Sequence, residues 1–290
     1  MKKLVWIGLI LLGCSTTNES NRAIDIQGHR GARGLAPENS IPAFLMAVEL
    51  GVTTIELDLS VTRDGQLVVS HEPYFSPVFC LDSGGMVIPA DTVINMYALD
   101  YDQVKAFDCG SKGNPRFPGQ KRMETVKPLL SEAIDEIEFY AKFLERTPLR
   151  YNIELKTQQG TDTIFHPTPE VFSDLVHALI SEKGIWDRVN IQSFDFRTLQ
   201  YFNQKYPDVR LALLIENELP WKENVDSLGF TPEIYSCYYP LLSEKIIDEL
   251  QSEDMLVIPW TINEKEEMKK LLDWGVDGII TDYPDRALTL

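Results

Sequence analysis

The feature that most constrains the fold is a regular alternation of short apolar runs with helix-like segments, which begins at residue 23 and continues to the end of the chain. Most of the runs are rich in Ile, Leu and Val, as is typical of parallel strands buried on both faces. Eight runs are predicted to be strands: 24–29, 53–61, 150–156, 188–193, 210–216, 233–239, 255–261 and 277–282. The helix-like segments are 40–50, 131–146, 169–182, 195–206, 241–252 and 264–274.

This order of elements predicts an α/β fold, a (β/α)8 TIM-type barrel, as a single domain over residues 23–290. A doubly wound open sheet is the alternative, but no Gly-rich phosphate-binding turn opens a helix after the first strand. Residues that favour helix starts or stops stand at the expected boundaries. The predicted N-caps and C-terminal stops are Asn39, Asp195, Gly51, Gly184 and Gly275.

A ninth apolar run, "LVVSH" (67–71), is not needed for the barrel. The connection "RDGQ" is too short for a parallel crossover, so residues 55–61 and 67–71 are predicted to form an antiparallel β-hairpin that turns at Asp64-Gly65. Counting outward from this turn places His71 opposite Asp58, to within about one residue.

Residues 73–128 are the least regular part of the chain, and a connection of this length inside a compact domain is usually functional. We interpret the segment as an insertion over the mouth of the barrel; a peripheral decoration is the alternative. Cys80 and Cys109 both lie in it and could form a disulfide, which their spacing alone does not establish. Cys237 lies in an apolar run and is predicted to be buried.

The N-terminus predicts export. Two lysines precede an apolar run that is shorter than the roughly 20 residues of a membrane-spanning helix, which is typical of a signal peptide (1–13). The "LLGC" ending resembles a bacterial lipobox, so Cys14 is predicted to be lipidated and residues 14–22 to form a polar tether. We therefore expect a bacterial lipoprotein that is anchored in the membrane and faces the periplasm. A plain signal peptide or a buried N-terminal strand is the alternative.

The charge balance argues against nucleic acid as a partner. The net charge is −17, and the sequence contains no basic stripe that would neutralise phosphates along a polyanion. Composition does not indicate the oligomeric state.

Carboxylates stand two residues apart at the ends of two predicted strands. Glu56 and Asp58 point to the same face of one strand, and Glu154 and Lys156 repeat the spacing in another. Because a barrel places its catalytic groups at the C-terminal ends of its strands, the three carboxylates are predicted to meet at its mouth. One divalent cation, Ca²⁺ or Mg²⁺, would compensate their charge, since both bind oxygen ligands.

Basic residues near these carboxylates predict a phosphate substrate. Arg30 and Lys156 suit an anionic group, and His29 and His71 suit general acid and base catalysis. Metal-assisted phosphodiester cleavage uses all of these groups. Glu154 and Lys156 could instead form a structural ion pair. The other two histidines, His166 and His177, are assigned structural roles.

Together these motifs resemble the glycerophosphodiester phosphodiesterase family. The similarity runs from about Ile26 to Asp285, and its segments are "GHRGARGLAPENS", "ELDLSVTRDGQLVVSHE", "NIELK", "IQSF", "WTIN" and "GVDGIITDYPD". The resemblance implies a TIM-type barrel, a divalent cation, and hydrolysis of glycerophosphodiesters to glycerol 3-phosphate and an alcohol.

Carried over by position, the resemblance also implies roles for single residues. Phe194 and Trp260 would line the glycerol site, and Glu38 would order the loop after His29. The implied metal ligands are Glu56, Asp58 and Glu154, the acid–base pair is His29 and His71, and the phosphate contacts are Arg30 and Lys156. The chain departs from the family's pattern after His71, where it has "EPYFSPVFCLDSGG".

Two other functions remain open at this point. A phospholipase-like hydrolase that removes a lipid head group would keep the same site, and a wide apolar groove at the mouth would favour it. A non-catalytic lipoprotein that binds phosphodiesters would be expected to lack a catalytic histidine, whereas both are present here.

Overall fold

A computed structural model describes residues 23–290 of the chain. The predictions for the signal peptide, the lipidated Cys14 and the tether lie outside the described residues. The strands are β1 (Asp25–Gly28), β2 (Thr54–Val61), β3 (Leu67–Val69), β4 (Arg150–Leu155), β5 (Val189–Ser193), β6 (Arg210–Ile215), β7 (Ile234–Cys237), β8 (Leu256–Val257) and β9 (Gly278–Thr281). The helices are α1 (Ile41–Leu50), α2 (Tyr101–Val104), α3 (Leu130–Phe143), α4 (Pro169–Lys183), α5 (Phe196–Lys205), α6 (Trp221–Leu228), α7 (Glu244–Ser252), α8 (Lys265–Asp273) and α9 (Pro284–Ala287).

Eight parallel strands form a nearly closed barrel in the order β8-β7-β6-β5-β4-β2-β1-β9. The two ends of this order are joined by backbone hydrogen bonds: Asp277 N–H donates to Val257 O and Ile280 N–H to Pro259 O, each at 3.0 Å. The predicted (β/α)8 TIM-type barrel is therefore confirmed. Within residues 23–290, no helix is long and apolar enough to cross a membrane.

The predicted hairpin is present as β2 and β3. The strands pair antiparallel, with Leu59 opposite Val69, and Ser70 N–H donates to Asp58 O at 2.9 Å. His71 therefore lies one residue beyond the position opposite Asp58, within the expected tolerance. Gly65 adopts a φ of +75° in the turn, a conformation that glycine reaches without steric cost.

The strands alternate between two buried faces. In β2, Ile55, Leu57 and Leu59 belong to the main apolar core that the helices cover. Glu56 and Asp58 point to the other face, and both are buried. Amide side chains from neighbouring strands share that face: Asn152 donates to Gln27 and Gln192, and Asn190 donates to Asn152. The polar face thus brings hydrogen-bonding groups up to the carboxylates.

One helix start differs from the sequence expectation. Ser40, not Asn39, is the N-cap of α1, and its Oγ accepts from Ala43 N–H at 3.4 Å. Asn39 is buried and its Nδ2 donates to Asp58 Oδ2 at 2.7 Å instead, so it serves the carboxylate cluster. Asp195 caps α5 as predicted. The three glycines also end their helices as predicted: Gly51, Gly184 and Gly275.

The insertion (73–128) packs on an apolar cluster of its own. Phe75 and Phe107 stack at 3.8 Å between ring centroids, and Cys80 forms a disulfide with Cys109. Arg116 of the insertion lines the mouth of the barrel together with His71. The segment therefore lies beside the mouth.

Candidate active site

Three buried carboxylates from β2 and β4 meet on one face of the sheet. Asp58 and Glu154 are register partners on these adjacent strands, and Glu56 precedes Asp58 by two residues on the same face. One ligand oxygen from each of the three carboxylates lies within 4.8 Å of the others. The structure therefore brings together the three residues predicted to bind a cation.

The electrostatics of this cluster fit a hard cation. Burial, followed by the charge of Asp58, raises the pKa of Glu56 well above its usual value, and burial raises the pKa of Glu154 to about 7. Asp58 Oδ1 is buried and accepts no hydrogen bond from the described residues. Ca²⁺ and Mg²⁺ prefer carboxylate oxygens as ligands. The oxygen of Asp58 that lacks a hydrogen bond from the described residues is therefore suited to bind such an ion.

Arg30 holds these carboxylates in place. Its N–H donates to Glu56 Oε2 at 2.8 Å, and its Nε lies 3.2 Å from Asp58 Oδ2. Nη1 donates to Glu38 Oε1 at 2.7 Å, as expected for a glutamate that orders this loop. Burial alone would raise the pKa of Asp58, but Arg30 and further nearby cations lower it well below its usual value.

Lys156 reaches the same carboxylates from β4. Its Nζ lies 2.7 Å from Glu154 Oε1 and 3.7 Å from Asp58 Oδ1. Burial opposes the charge, yet these two neighbours raise the pKa of Lys156, so the side chain is an ammonium. It also lies 5.9 Å from the centre of the Phe194 ring.

His29 is oriented by a carboxylate from the last strand. Its Nδ1 lies 2.6 Å from Asp282 Oδ1, and Asp282 in turn accepts two hydrogen bonds from Arg33 at 2.8 and 3.0 Å. Burial and the charge of Arg33 lower the pKa of His29 to about 4, against the opposing effect of Asp282. The neutral imidazole is therefore favoured, with Nε2 making no hydrogen bond to the described residues.

His71 has a carboxylate partner of its own. Its Nδ1 lies 2.7 Å from Glu72 Oε1, and that hydrogen bond lowers the pKa of Glu72 to about 2. Burial lowers the pKa of His71. Both imidazoles line a cavity of about 200 Å³, and Glu56 and Glu154 line it as well. Two imidazoles and a carboxylate cluster thus face one space at the barrel mouth.

The comparison with known protein families assigns the chain to a family. The model of the glycerophosphoryl diester phosphodiesterase family matches residues 29–286. The chain belongs to this family. A glycerophosphodiester phosphodiesterase of Caldanaerobacter subterraneus is 30% identical over 267 residues, which cover 90% of this chain and 95% of the relative.

Solved structures show the same fold. A Silicibacter pomeroyi structure, named as a member of the same family, has a TM-score of 0.82 and 26% identity and covers 92% of each chain. A phosphodiesterase of Oleispira antarctica, solved with the product sn-glycerol-3-phosphate, has a TM-score of 0.72 and 22% identity. It covers 91% of this chain and 95% of its own.

Two aromatic residues form part of the wall of the phosphodiesterase cavity. Phe194 and Trp260 meet edge to face, with ring centroids 5.5 Å apart, and both line the cavity. Trp260 Nε1 donates to Ser236 O at 3.0 Å, which fixes the indole, whereas Phe194 is 40% exposed. The structure therefore places both rings in the wall of the cavity that His29 and His71 line.

Several residues of the site were not predicted from the sequence to belong to it. Asp282 and Arg33 orient His29, Asn39 donates to Asp58, and Gln192 Nε2 donates to Glu56 Oε1 at 2.8 Å. The acidic end of the last strand, in "GIITD", was the one visible signal, because a carboxylate at a strand end of a barrel faces its mouth.

The remaining histidines have structural contacts. His166 is buried, and its Nε2 accepts from Gln158 N–H at 3.0 Å. His177 stacks on Tyr206 with ring centroids 3.6 Å apart. Neither imidazole lines the cavity that His29 and His71 share.

Proposed function

We propose that this protein is a metal-dependent phosphodiesterase that hydrolyses glycerophosphodiesters to glycerol 3-phosphate and an alcohol. The observation that carries the proposal is the convergence of the cation-binding carboxylates and both imidazoles on one cavity, in a chain that belongs to the family. The rival function, binding without turnover, does not need two oriented imidazoles beside such a cluster.

Glu56, Asp58 and Glu154 would hold one Ca²⁺ or Mg²⁺ ion. When bound, the ion supplies positive charge that stabilises the phosphate as negative charge develops on it. Lys156 extends this charge toward the substrate and binds a phosphate oxygen. Arg30 already pairs with Glu38 and Asp58, so its main role is to hold the carboxylates, and its phosphate contact is secondary.

His29 and His71 move the two protons of the reaction. The neutral imidazole of one accepts a proton from the attacking hydroxyl. The other imidazole, protonated beside the negative charge of the bound phosphodiester, donates a proton to the departing alcohol oxygen as its bond to phosphorus breaks. Asp282 and Glu72 fix which ring nitrogen faces the substrate. Phe194 and Trp260 would hold the glycerol end of the substrate. The attacking hydroxyl is either water or a hydroxyl of the glycerol.

A turnover assay tests the proposal. Glycerol 3-phosphate release from glycerophosphodiesters is measured after chelation and after add-back of Mg²⁺ or Ca²⁺ separately. We expect activity to vanish on chelation and to return with at least one ion. Full activity without any divalent ion would refute the metal role, and no release with either ion would refute the hydrolase.

A second substrate class has support in one surface feature. Tyr238 is 39% exposed and lies 5.8 Å from Trp260 between ring centroids, so the aromatic wall continues from the cavity to the surface. The rings of Trp260 and Tyr238 could contact the acyl chain of a lysophospholipid whose glycerol lies against Trp260. Choline release from lysophosphatidylcholine tests this phospholipase-like alternative, and its absence would restrict the enzyme to deacylated diesters.

We also propose that the enzyme is exported and anchored through a lipidated Cys14, facing the periplasm. The N-terminal sequence and the Cys80–Cys109 pair support this, because disulfides persist in oxidising compartments. Mass spectrometry of the membrane-extracted protein should find a diacyl-modified Cys14 at the N-terminus. An unmodified Cys14 in that fraction would contradict the anchor.

A further inference from the structure

A second cavity of about 510 Å³ opens directly off the active site. Five of its lining residues belong to the site already described, namely His71, Glu72, Glu154, Lys156 and Phe194. Its outer walls come from the start of the insertion and from the loop between β4 and α4. A diester held at the carboxylates can therefore extend one of its two arms into this space.

Aromatic rings form the outer part of this cavity. Tyr74 from the insertion and Phe165 from the β4–α4 loop meet edge to face with ring centroids 6.5 Å apart. Phe194 lies between this cavity and the glycerol side, since it lines both. Tyr74 and Phe165 are partly exposed and Phe194 is exposed, so a ligand in the cavity can contact all three rings.

The charge at the outer wall is negative. The carboxylate of Glu72 lines the cavity next to Tyr74 and is held by the hydrogen bond to His71. The one Lys or Arg side chain among the lining residues is Lys156, at the inner end beside Glu154. Aromatic faces with a nearby carboxylate are the surroundings that an organic ammonium group prefers.

The space on the other side of His71 has the opposite character. That cavity, of about 280 Å³, is lined by three arginines, Arg30, Arg33 and Arg116, and by the carboxylates of Glu38 and Glu72. The guanidinium groups outnumber the carboxylates, so the lining of this side has a net positive charge that disfavours a cation. The two cavities therefore differ in the net charge of their linings.

Contacts inside the protein hold the aromatic cavity in shape. Asn95 of the insertion donates to Ile164 O at 2.6 Å, which ties the insertion to the β4–α4 loop. His166 accepts from Gln158 N–H and lies 2.9 Å from Thr161 Oγ1, which fixes the loop on both sides of Phe165. A pocket fixed before binding loses little entropy when the ligand enters.

We propose that this cavity, formed by Tyr74, Phe165, Phe194 and Glu72, binds the alcohol arm of the diester and selects alcohols that carry an alkylammonium group, such as choline. The inference rests on the proposed function, because it concerns the leaving alcohol of the same reaction. It adds a substrate class, set by residues of the insertion and the β4–α4 loop.

A neutral analogue of choline separates charge from shape. The full-length enzyme is assayed with glycerophosphocholine and with the 3,3-dimethylbutyl ester, in which carbon replaces the ammonium nitrogen, and with glycerophosphoglycerol. We expect kcat/KM for the choline ester to exceed that for both neutral esters by about tenfold. Equal values for the choline and dimethylbutyl esters would overturn the proposal.

A substitution tests whether the aromatic cavity causes the preference for the choline ester. Phe165→Leu should lower the ratio of kcat/KM for choline ester to glycerol ester about fivefold. The matched control is Phe139→Leu on α3, where Phe139 is 69% exposed, and the ratio should not change. A ratio unaffected by Phe165→Leu would place the head group elsewhere and refute this assignment. If the enzyme hydrolyses none of the three esters, the proposed hydrolase function is refuted instead.

Discussion

His29 and Asp282 are 253 residues apart in the sequence, and the barrel brings His29 Nδ1 to 2.6 Å from Asp282 Oδ1. The first and last strands are hydrogen-bonded neighbours, so the end of the chain supplies the group that orients the imidazole of His29 near its beginning. Arg33 and Asn263 donate to the same carboxylate and fix its position.

Asp282→Asn should therefore lower kcat while preserving the fold. The amide keeps the shape of the side chain but loses the charge that fixes the tautomer of His29, so we expect a loss of about 10- to 100-fold. Asp254→Asn at an exposed position is the matched control and should not change kcat. A kcat within twofold of the wild type for Asp282→Asn would show that His29 does not need this partner.

Replacing either imidazole of the cavity should have a larger effect. His29→Ala and His71→Ala should each reduce kcat by about 10²–10⁴-fold, because each removes one of the two proton transfers. His177→Ala serves as the control: it removes a stacked ring from α4 and should lower the melting temperature but not kcat. If one of the first two variants keeps wild-type turnover, that imidazole is not an acid or base.

The strands were predictable from the sequence because apolar runs and short polar connections mark them at each repeat. Only the ends differ, and β8 shows why. The run 255–261 predicts seven residues, yet the strand is Leu256–Val257, because Pro259 has no N–H to extend the ladder. The helix α6 was missed, since its eight residues include few apolar positions, with buried Leu228 at its end.

The carboxylates were predictable for a different reason. A period of two puts Glu56 and Asp58 on one face, and a barrel brings Glu154 beside them in register. The hydrogen bonds of Asn39 and Gln192 were not predictable in this way, because the sequence does not show which distant carboxylate an amide side chain contacts. Contacts that depend on closure of the barrel required the structure.

Cation binding should be visible without an activity assay. An ion that binds the folded state alone, at a hundred times its dissociation constant, adds about 2.7 kcal/mol to the free energy of unfolding. We expect Mg²⁺ or Ca²⁺ to raise the melting temperature of the chelated protein, and Asp58→Asn to abolish that increase. Asp254→Asn should retain it. An equal increase in Asp58→Asn would place the ion away from the carboxylate cluster.

Lys127 provides a test of the electrostatics around the insertion. Its side chain is buried, with the nitrogen 5.9 Å from the centre of the Phe79 ring, and burial lowers its pKa to about 8, against the attraction of Glu38 and Glu72. Below pH 8 the lysine is charged in both the folded and unfolded states, so folding carries the full cost of burying the charge. Between pH 8 and the unfolded value of 10.5 the folded protein binds fewer protons than the unfolded chain, so its stability rises with pH.

Lys127→Met should therefore stabilise the protein at pH 7, by up to about 3 kcal/mol, since one pKa unit corresponds to about 1.4 kcal/mol. The advantage over the wild type should shrink as the pH rises from 8 and vanish near 10.5. Urea denaturation of both proteins across this range measures the difference, with exposed Lys269→Met as the control that shows no such trend. If the difference in the free energy of unfolding between the two proteins stays constant from pH 7 to 10.5, the charge of buried Lys127 does not destabilise the folded protein.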